Sequence, residues 1–211
     1  MKEYKLPIGC DVPETIILAD GDFPSHPLAL EWLRQCPYVV CCDGAANTYI
    51  RSGRMPEAIV GDGDSLLPDI KERYASLIHS EAEQETNDLS KAFRFCLSQE
   101  RKRITIMGAT GKREDHTIGN VSLLADYMEQ AEVSMMTDYG IFVPIREDSM
   151  FESYIGQQIS VFNMNSTALS AEGLAYPLSV FTNWWQGTLN EALARHFIIR
   201  TGGKVLVFRV F

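Results

Sequence analysis

Short apolar runs alternate with polar turns and amphipathic stretches along the first two-thirds of the chain. Thr15–Ala19 reads as a buried strand stopping at Asp20-Gly21-Asp22, and Tyr38–Cys42 as a second stopping at Asp43-Gly44. Ala58–Val60, Ile104–Met107 and Val133–Met136 are further runs, ending at Gly61-Asp62, at Gly108 and near Asp138. Unbroken rather than alternating apolar strands predict a sheet covered on both faces, and helices between them predict parallel crossovers. Leu28–Leu33 fits a helix. After Asn87, the residues Leu89, Ala92, Phe93, Cys96 and Leu97 recur at helical spacing; after His116, Ile118, Val121, Leu124, Ala125 and Met128 do the same. Each stripe begins just after an Asp or Asn suited to capping.

Past about residue 145 the texture changes. Helical stripes thin out, and strand-like segments appear at Gln158–Phe162, Leu178–Thr182 and Phe197–Phe211. The last has Gly202-Gly203 between two β-rich arms and reads as a hairpin. The expected fold is therefore α/β over 1–143, a mostly parallel sheet with helices on both faces, followed by a smaller antiparallel, sandwich-like β domain over 144–211.

With 211 residues the chain can bury a substantial core as one domain or two small ones. Its net charge of −9 argues against nucleic acid or an anionic membrane as a bulk electrostatic partner. It leaves a nucleotide open, because a divalent cation can sit between acidic protein and phosphate. No run is long enough to span a bilayer, and the N-terminal stretch has no signal-peptide pattern. The five cysteines, Cys10, Cys36, Cys41, Cys42 and Cys96, match no zinc spacing and read as buried thiols of a reducing cytoplasm.

Asp20, Asp43, Asp62, Asp64 and Gly108 all follow predicted strand ends, where ligands bind in open α/β sheets. Taken singly, each aspartate also reads as a solvated turn. Gly61-Asp62-Gly63-Asp64-Ser65 says more: in an extended segment Asp62 and Asp64 project to one side, and the glycines let a ligand approach. Mg²⁺ needs few carboxylates if phosphate oxygens and waters complete its shell. An EF-hand is excluded by Leu66 and the missing twelfth-position glutamate. An aspartyl-phosphate phosphatase with Asp62 as nucleophile competes, as does a non-catalytic nucleotide-binding module. In Gln84–Lys91, Asp88 falls in the first turn of a helix and Lys91 one turn on, beside the apolar stripe. Gly108–Asn120 has the ingredients of a backbone anion cradle but matches neither a P-loop nor a dinucleotide fingerprint.

These motifs, in this order, resemble the thiamine pyrophosphokinase family. That family shows D-G-(G/A), G-D-x-D-S, a (Q/K)-x-x-(T)-D segment, G-x-x-G-x-R-x-D-H-x-x-x-N, G-L-x-(Y/W)-x-L and G-x-S-N-E. Here they correspond to Asp43–Ala45, Gly61–Ser65, Gln84–Lys91, Gly108–Asn120, Gly173–Leu178 and Gly187–Glu191. Asn87 replaces the usual threonine and Leu189 the usual serine. The resemblance implies transfer of a pyrophosphoryl group from ATP to thiamine, with Asp62, Asp64 and Asp88 as the catalytic carboxylates holding Mg²⁺. Asp43, Gln84, Asp88, Lys91, Gly108, Gly111, Arg113, Asp115, His116 and Asn120 would serve ATP. Tyr176, Thr188, Asn190 and Glu191 would serve thiamine in the β domain, at the subunit interface of a homodimer. Trp184 and Trp185 lie nearby, as site, core or interface aromatics.

Overall fold

The computed structural model describes residues 1–7, 12–81, 83 and 85–211. The chain divides into two compact units, Gly9–Asp138 and Met1–Ile8 with Tyr139–Phe211. The β unit thus begins earlier than residue 144 and recruits the N-terminal strand.

In chain order, β1 is Lys2–Tyr4, β2 Thr15–Leu18, α1 Pro27–Gln35, β3 Val39–Cys42, α2 Ala45–Arg51 and β4 Ala58–Gly61. Then come α3 Pro68–Arg73, β5 Ile78–Ser80, α4 Asp88–Ser98, β6 Arg103–Met107, α5 Glu114–Tyr127 and β7 Glu132–Met136. The remaining strands are β8 Gly140–Ile145, β9 Ser149–Glu152, β10 Gln158–Asn163, β11 Leu169–Glu172, β12 Asn190–Glu191, β13 His196–Thr201 and β14 Val205–Val210.

In the α/β unit the strands pair in parallel in the order β7-β6-β2-β3-β4-β5. Strands β2, β3 and β4 are buried along their whole length. Successive residues face opposite sides of a sheet, so both faces are covered here. Asn87 caps α4, its Oδ1 accepting the Ser90 N–H at 3.0 Å, and Leu89, Ala92, Phe93 and Cys96 are buried as the stripe requires. Helix α5 departs from expectation. It starts at Glu114, and of the predicted stripe only Leu124 is fully buried while Ile118 is 58% exposed. Its inner face runs instead through Leu124 and Tyr127, where the Tyr127 hydroxyl meets Ser90 Oγ at 2.8 Å and its ring stacks on Phe93. Among the described residues no helix is long and apolar enough to cross a membrane.

The β unit has one run in the order β1-β9-β13-β11 and another in the order β12-β10-β14-β8. Only the β1–β9 pair is parallel in these runs. Alternate residues of both runs, including Ile141, Val143, Phe151, Ile159, Val161, Phe197, Ile199, Val205 and Val207, share one core. That is a sandwich. Tyr4, Phe151 and Phe197 stack at centroid separations of 4.8 and 5.0 Å, tying β1 to the core.

Two expectations fail here. The C-terminal arms are not a hairpin: β13 pairs with β9 and β11, while β14 pairs with β8 and β10. Gly203 packs so closely on the 165–166 loop that a Cβ there would lie 2.7 Å from Ser166 Cα. The turn is a corner at which the chain changes sheets. Leu178–Thr182 forms no strand. Pro177 precedes it, and the N–H groups of Thr182 and Asn183 donate to the Gln186 side chain rather than to a neighbouring strand.

Candidate active site at the carboxyl edge of the parallel sheet

The chain leaves β2 for β3, β4 and β5 on one side, then returns to the other side of β2 as β6 and β7. Such a reversal opens a crevice beyond the carboxyl ends of the strands. Asp20, Asp43, Asp62 and Gly108 follow the ends of β2, β3, β4 and β6 at this edge.

Asp43 is the most constrained of them. It is 3% exposed and has a φ of +28°, a conformation that side-chain-bearing residues rarely adopt. Its Oδ2 accepts the Ser65 N–H at 3.0 Å, whereas the buried Oδ1 has no partner among the described residues. Burial pushes its carboxyl above the usual carboxylate range; the Ser65 N–H pulls the other way, and the charges of Asp88 and Asp62 add to the rise. Gly61, at the end of β4, makes room for this group: a Cβ there would lie 2.8 Å from Asp43 Cβ and 3.4 Å from Asp88 Cγ. The Asp43 and Asp88 side chains therefore flank the same glycine.

Asp88 opens α4 and accepts Lys91 Nζ at 3.1 Å. Lys91 is not beside the stripe as expected but 3% exposed, within the buried face of the helix. Burial, the largest influence, favours a neutral amine, but the hydrogen bond to Asp88 and the charges of Asp88 and Asp62 outweigh it and raise its pKa. A buried ammonium at the carboxylate cluster is thereby kept charged.

The Asp62–Asp64 stretch is bent rather than extended, so the same-side projection argued from an extended backbone does not apply. Gly63 has φ +79°, Asp62 Oδ1 accepts the Asp64 N–H at 3.1 Å, and Lys71 Nζ donates to the Gly63 carbonyl at 2.9 Å. Asp64 is exposed and Asp62 half-buried. Sequence reasoning missed Lys71 and Asn47, whose amide accepts the Leu67 N–H and donates to the Ser65 carbonyl. Neither position belongs to a motif. Their contacts exist only once α2, α3 and the loop have folded together.

At the switch point the two loops are laced together, the Gly21 N–H donating to the Gly108 carbonyl at 2.6 Å and the Asp22 N–H to the Thr110 carbonyl at 2.8 Å. A Cβ at Gly108, where φ is +64°, would lie 2.6 Å from the Ala19 carbonyl oxygen. Gly111, with φ +102°, sits against the Asp22 carboxylate. Lys112 Nζ donates to Asp20 Oδ1 at 3.2 Å. Arg113 and Asp115 pair with each other at 3.0 and 2.6 Å, which lowers the exposed Asp115 carboxyl to about 2. The exposed His116 donates its backbone N–H to Asp115. Asn120 Nδ2 donates to the Ala109 carbonyl at 2.9 Å, and its Oδ1 accepts Asn87 Nδ2 at 3.1 Å. Gln84 and Cys10 lie outside the described residues. Cys36, Cys41, Cys42 and Cys96 are free thiols, and burial pushes that of Cys96 up to about 12.

In the β unit, Asn190 is buried and grips the backbone of Tyr176, whose side chain is among the exposed aromatics. Glu191 is exposed and donates its N–H to Asn190 Oδ1, and Thr188 Oγ1 donates to the Trp185 carbonyl. Leu189 has φ +62° and is 78% exposed. Trp184 meets Phe162 edge-on, and Trp185 is largely exposed, so neither is a core residue.

Among the described residues no three His, Cys, Asp or Glu side chains form a ready-made metal cage. The unpartnered Asp43 Oδ1 and its neighbour Asp88 nevertheless suit a hard cation whose other ligands are not protein atoms.

Fold and site together define a two-unit protein: a parallel α/β unit with an acidic, lysine-buttressed edge, joined in one chain to an antiparallel β sandwich. Residues 29–136 match the family model for the thiamin pyrophosphokinase catalytic domain, and residues 140–208 that for its substrate-binding domain. The chain belongs to the thiamin pyrophosphokinase family. It is 30% identical over 129 residues to thiamine pyrophosphokinase 1 of Oryza sativa subsp. japonica, a match covering 49% of each chain. It is 34% identical over 86 residues to thiamine pyrophosphokinase of Bacillus subtilis (strain 168), covering 39% of this chain and 40% of that one. The chain spans about half the length of the curated relatives it matches. Among solved structures, thiamin pyrophosphokinase from Candida albicans aligns with a TM-score of 0.81 at 18% identity, covering 100% of this chain and 93% of that one. The Bacillus subtilis enzyme aligns with a TM-score of 0.77 at 21% identity, covering 93% and 98%. At these identities the structural likeness speaks for the fold.

Proposed function

We propose that the chain transfers a pyrophosphoryl group from ATP to the hydroxyl of thiamine, giving thiamine diphosphate and AMP. The thiamine oxygen attacks the β-phosphorus, the bond from that phosphorus to the oxygen bridging to the α-phosphorus breaks, and AMP leaves with that oxygen. The observation that carries the reading is the buried Asp43 carboxyl with its unpartnered Oδ1, set beside Asp88 across Gly61 and backed by the buried Lys91.

Asp62, Asp64 and Asp88 would hold Mg²⁺, with Asp43 beside them, and the ion would neutralise charge on the phosphate chain. Lys91 and Arg113 would offset phosphate charge, Arg113 after exchanging Asp115 for substrate. Gln84, Asp115, His116, Asn120 and the Gly108–Gly111 turn would position the nucleotide. Asp88 is our choice for the group nearest the hydroxyl proton. In the β unit, Tyr176 would face the cationic thiazolium ring, with Thr188, Asn190 and Glu191 around it. Uptake of thiamine at the subunit interface of a homodimer, in a reducing cytoplasm, completes the proposal; the free thiols support that setting.

Purified protein incubated with ATP and Mg²⁺, with and without thiamine, tests this directly. The expected nucleotide product is AMP formed only when thiamine is present. ADP or free phosphate would overturn it, and covalent phosphate on Asp62 would establish the phosphatase reading instead.

A further inference from the structure

We propose that Asn87 and Asn120 form an amide bridge that sets the Gly108–Gly111 turn relative to the Asp88–Lys91 pair. Both are then positioning residues for the phosphate chain, a role that rests on the nucleotide reading above.

The bridge is a continuous run of hydrogen bonds. The Ala109 carbonyl accepts Asn120 Nδ2 at 2.9 Å, Asn120 Oδ1 accepts Asn87 Nδ2 at 3.1 Å, and Asn87 Oδ1 accepts the Ser90 N–H at 3.0 Å. Each side-chain oxygen and nitrogen of the two amides thus has a protein partner, which is the pattern of a brace. One end of the run lies in the glycine turn that follows β6, and the other in the first turn of α4, between Asp88 and Lys91.

The surroundings make this a fixed spacer. Tyr127 lies two helical turns beyond Asn120 on the same side of α5, and Ser90 lies one turn beyond Asn87. The Ser90–Tyr127 hydrogen bond at 2.8 Å and the Phe93–Tyr127 stack at 3.9 Å hold α4 and α5 together deeper in the unit. With that distance fixed, the amide pair ties the α4 side of the glycine turn, whose other side is laced to the loop after β2. An amide at position 87 offers an acceptor and a donor on separate atoms, so it caps α4 and reaches Asn120 at once. A hydroxyl, one atom nearer the backbone, does not have that reach. Phosphoryl-type transfer depends on placement, and a misplacement of about 1 Å costs on the order of a hundredfold in rate.

Capping and bridging are separable. Asn87→Asp keeps the oxygen that accepts the Ser90 N–H, and aspartate caps about as well as asparagine. It has no donor for Asn120 and places a negative charge against Asn120 Oδ1. In the full chain without ligand, Asn87→Asp should leave the urea midpoint unchanged while the backbone amides of Gly21 and Asp22, which donate to the Gly108 and Thr110 carbonyls, exchange about tenfold faster. Mg²⁺-ATP binding should weaken about tenfold, KM for ATP should rise with it, and KM for thiamine should hold. Asn120→Ala should do the same, and the double variant should be no worse than either single one. Wild-type exchange at Gly21 and Asp22 in Asn87→Asp, or penalties that multiply in the double variant, would overturn the bridge. The exchange arm needs no nucleotide. Failure of the wild type to bind ATP would therefore sink the functional reading, while the exchange result would still decide the bridge.

Discussion

Asn190 holds Tyr176 by both ends of its side-chain amide. Oδ1 accepts the Tyr176 N–H at 3.0 Å, and Nδ2 donates to the Tyr176 carbonyl at 2.8 Å. The same oxygen accepts the Glu191 N–H at 2.9 Å. A buried amide is thus committed to anchoring an aromatic residue that is itself 64% exposed. Asn190→Ala should cost about 1 to 2 kcal/mol by leaving these part-buried backbone groups unpaired, and KM for thiamine should rise more than KM for ATP. Asn190→Asp keeps the acceptor but sets a buried carboxylate oxygen against the Tyr176 carbonyl, and should cost at least as much. Urea unfolding and separate KM values for the two substrates measure both, and equal changes in the two KM values would contradict the anchoring role.

Gly61 is the position at which one methyl group should do most damage to the carboxylate pair. Gly61→Ala would drive a Cβ into Asp43 and against Asp88. We expect about 1 to 3 kcal/mol of destabilisation and a loss of turnover of about a hundredfold, well beyond what that stability loss explains at room temperature. Near-normal kcat in a destabilised variant would argue against the importance of this packing.

Asp62→Asn and Asp64→Asn should separate chemistry from folding. Asparagine at 62 still offers an oxygen to the Asp64 N–H, and Asp64 is exposed. Stability should therefore stay within about 0.5 kcal/mol, while AMP formation falls by about a hundredfold or more. Wild-type turnover in either variant would remove that residue from the proposed metal site.

Asp138 gives a pH dependence of defined sign. Its carboxylate accepts the Ser25 N–H, the Ser25 hydroxyl and the His26 N–H at 2.8, 2.6 and 2.9 Å. Burial alone would raise its pKa, but these hydrogen bonds outweigh burial and hold it below the ordinary value. A lowered folded-state pKa means stability present above the unfolded value, about 4, and lost as pH falls through the folded one. Asp138→Asn should cost about 1 to 2 kcal/mol at pH 7 and flatten the acid limb of a urea-unfolding series from pH 7 to 3. Parallel acid limbs in the two proteins would show that the group contributes nothing.

The parallel strands were legible because burial on both faces leaves unbroken apolar runs such as Thr15–Leu18 and Val39–Cys42. Strand β5 was not: its three residues, Ile78, His79 and Ser80, carry one apolar side chain, and it forms because β4 offers an edge. The same holds for β1, whose Lys-Glu-Tyr says nothing about a partner near residue 150. Helix α5 shows the limit of periodicity, since Ile118 and Leu124 share a stripe but only one meets the core. Sequence order placed Asp43, Asp62 and Asp88 near strand and helix ends. It gave no sign that Asp43 would be buried with a bare oxygen or that Lys91 would lie within the core face. The closeness of Asp43 and Asp88 depends on Gly61, which has no side chain to hold them apart.

The corner at Gly202-Gly203 also bears on the order in which the molecule is made. Strand β13 lies between β9 and β11, and β14 between β10 and β8, so residues 196–210 supply an interior strand to both halves of the sandwich. Every strand of the α/β unit has been synthesised by residue 136, whereas neither face of the sandwich can be seamed until this final stretch emerges. During translation the acidic edge has the chance to form first, with the β unit waiting as unzipped strands for its last fifteen or so residues.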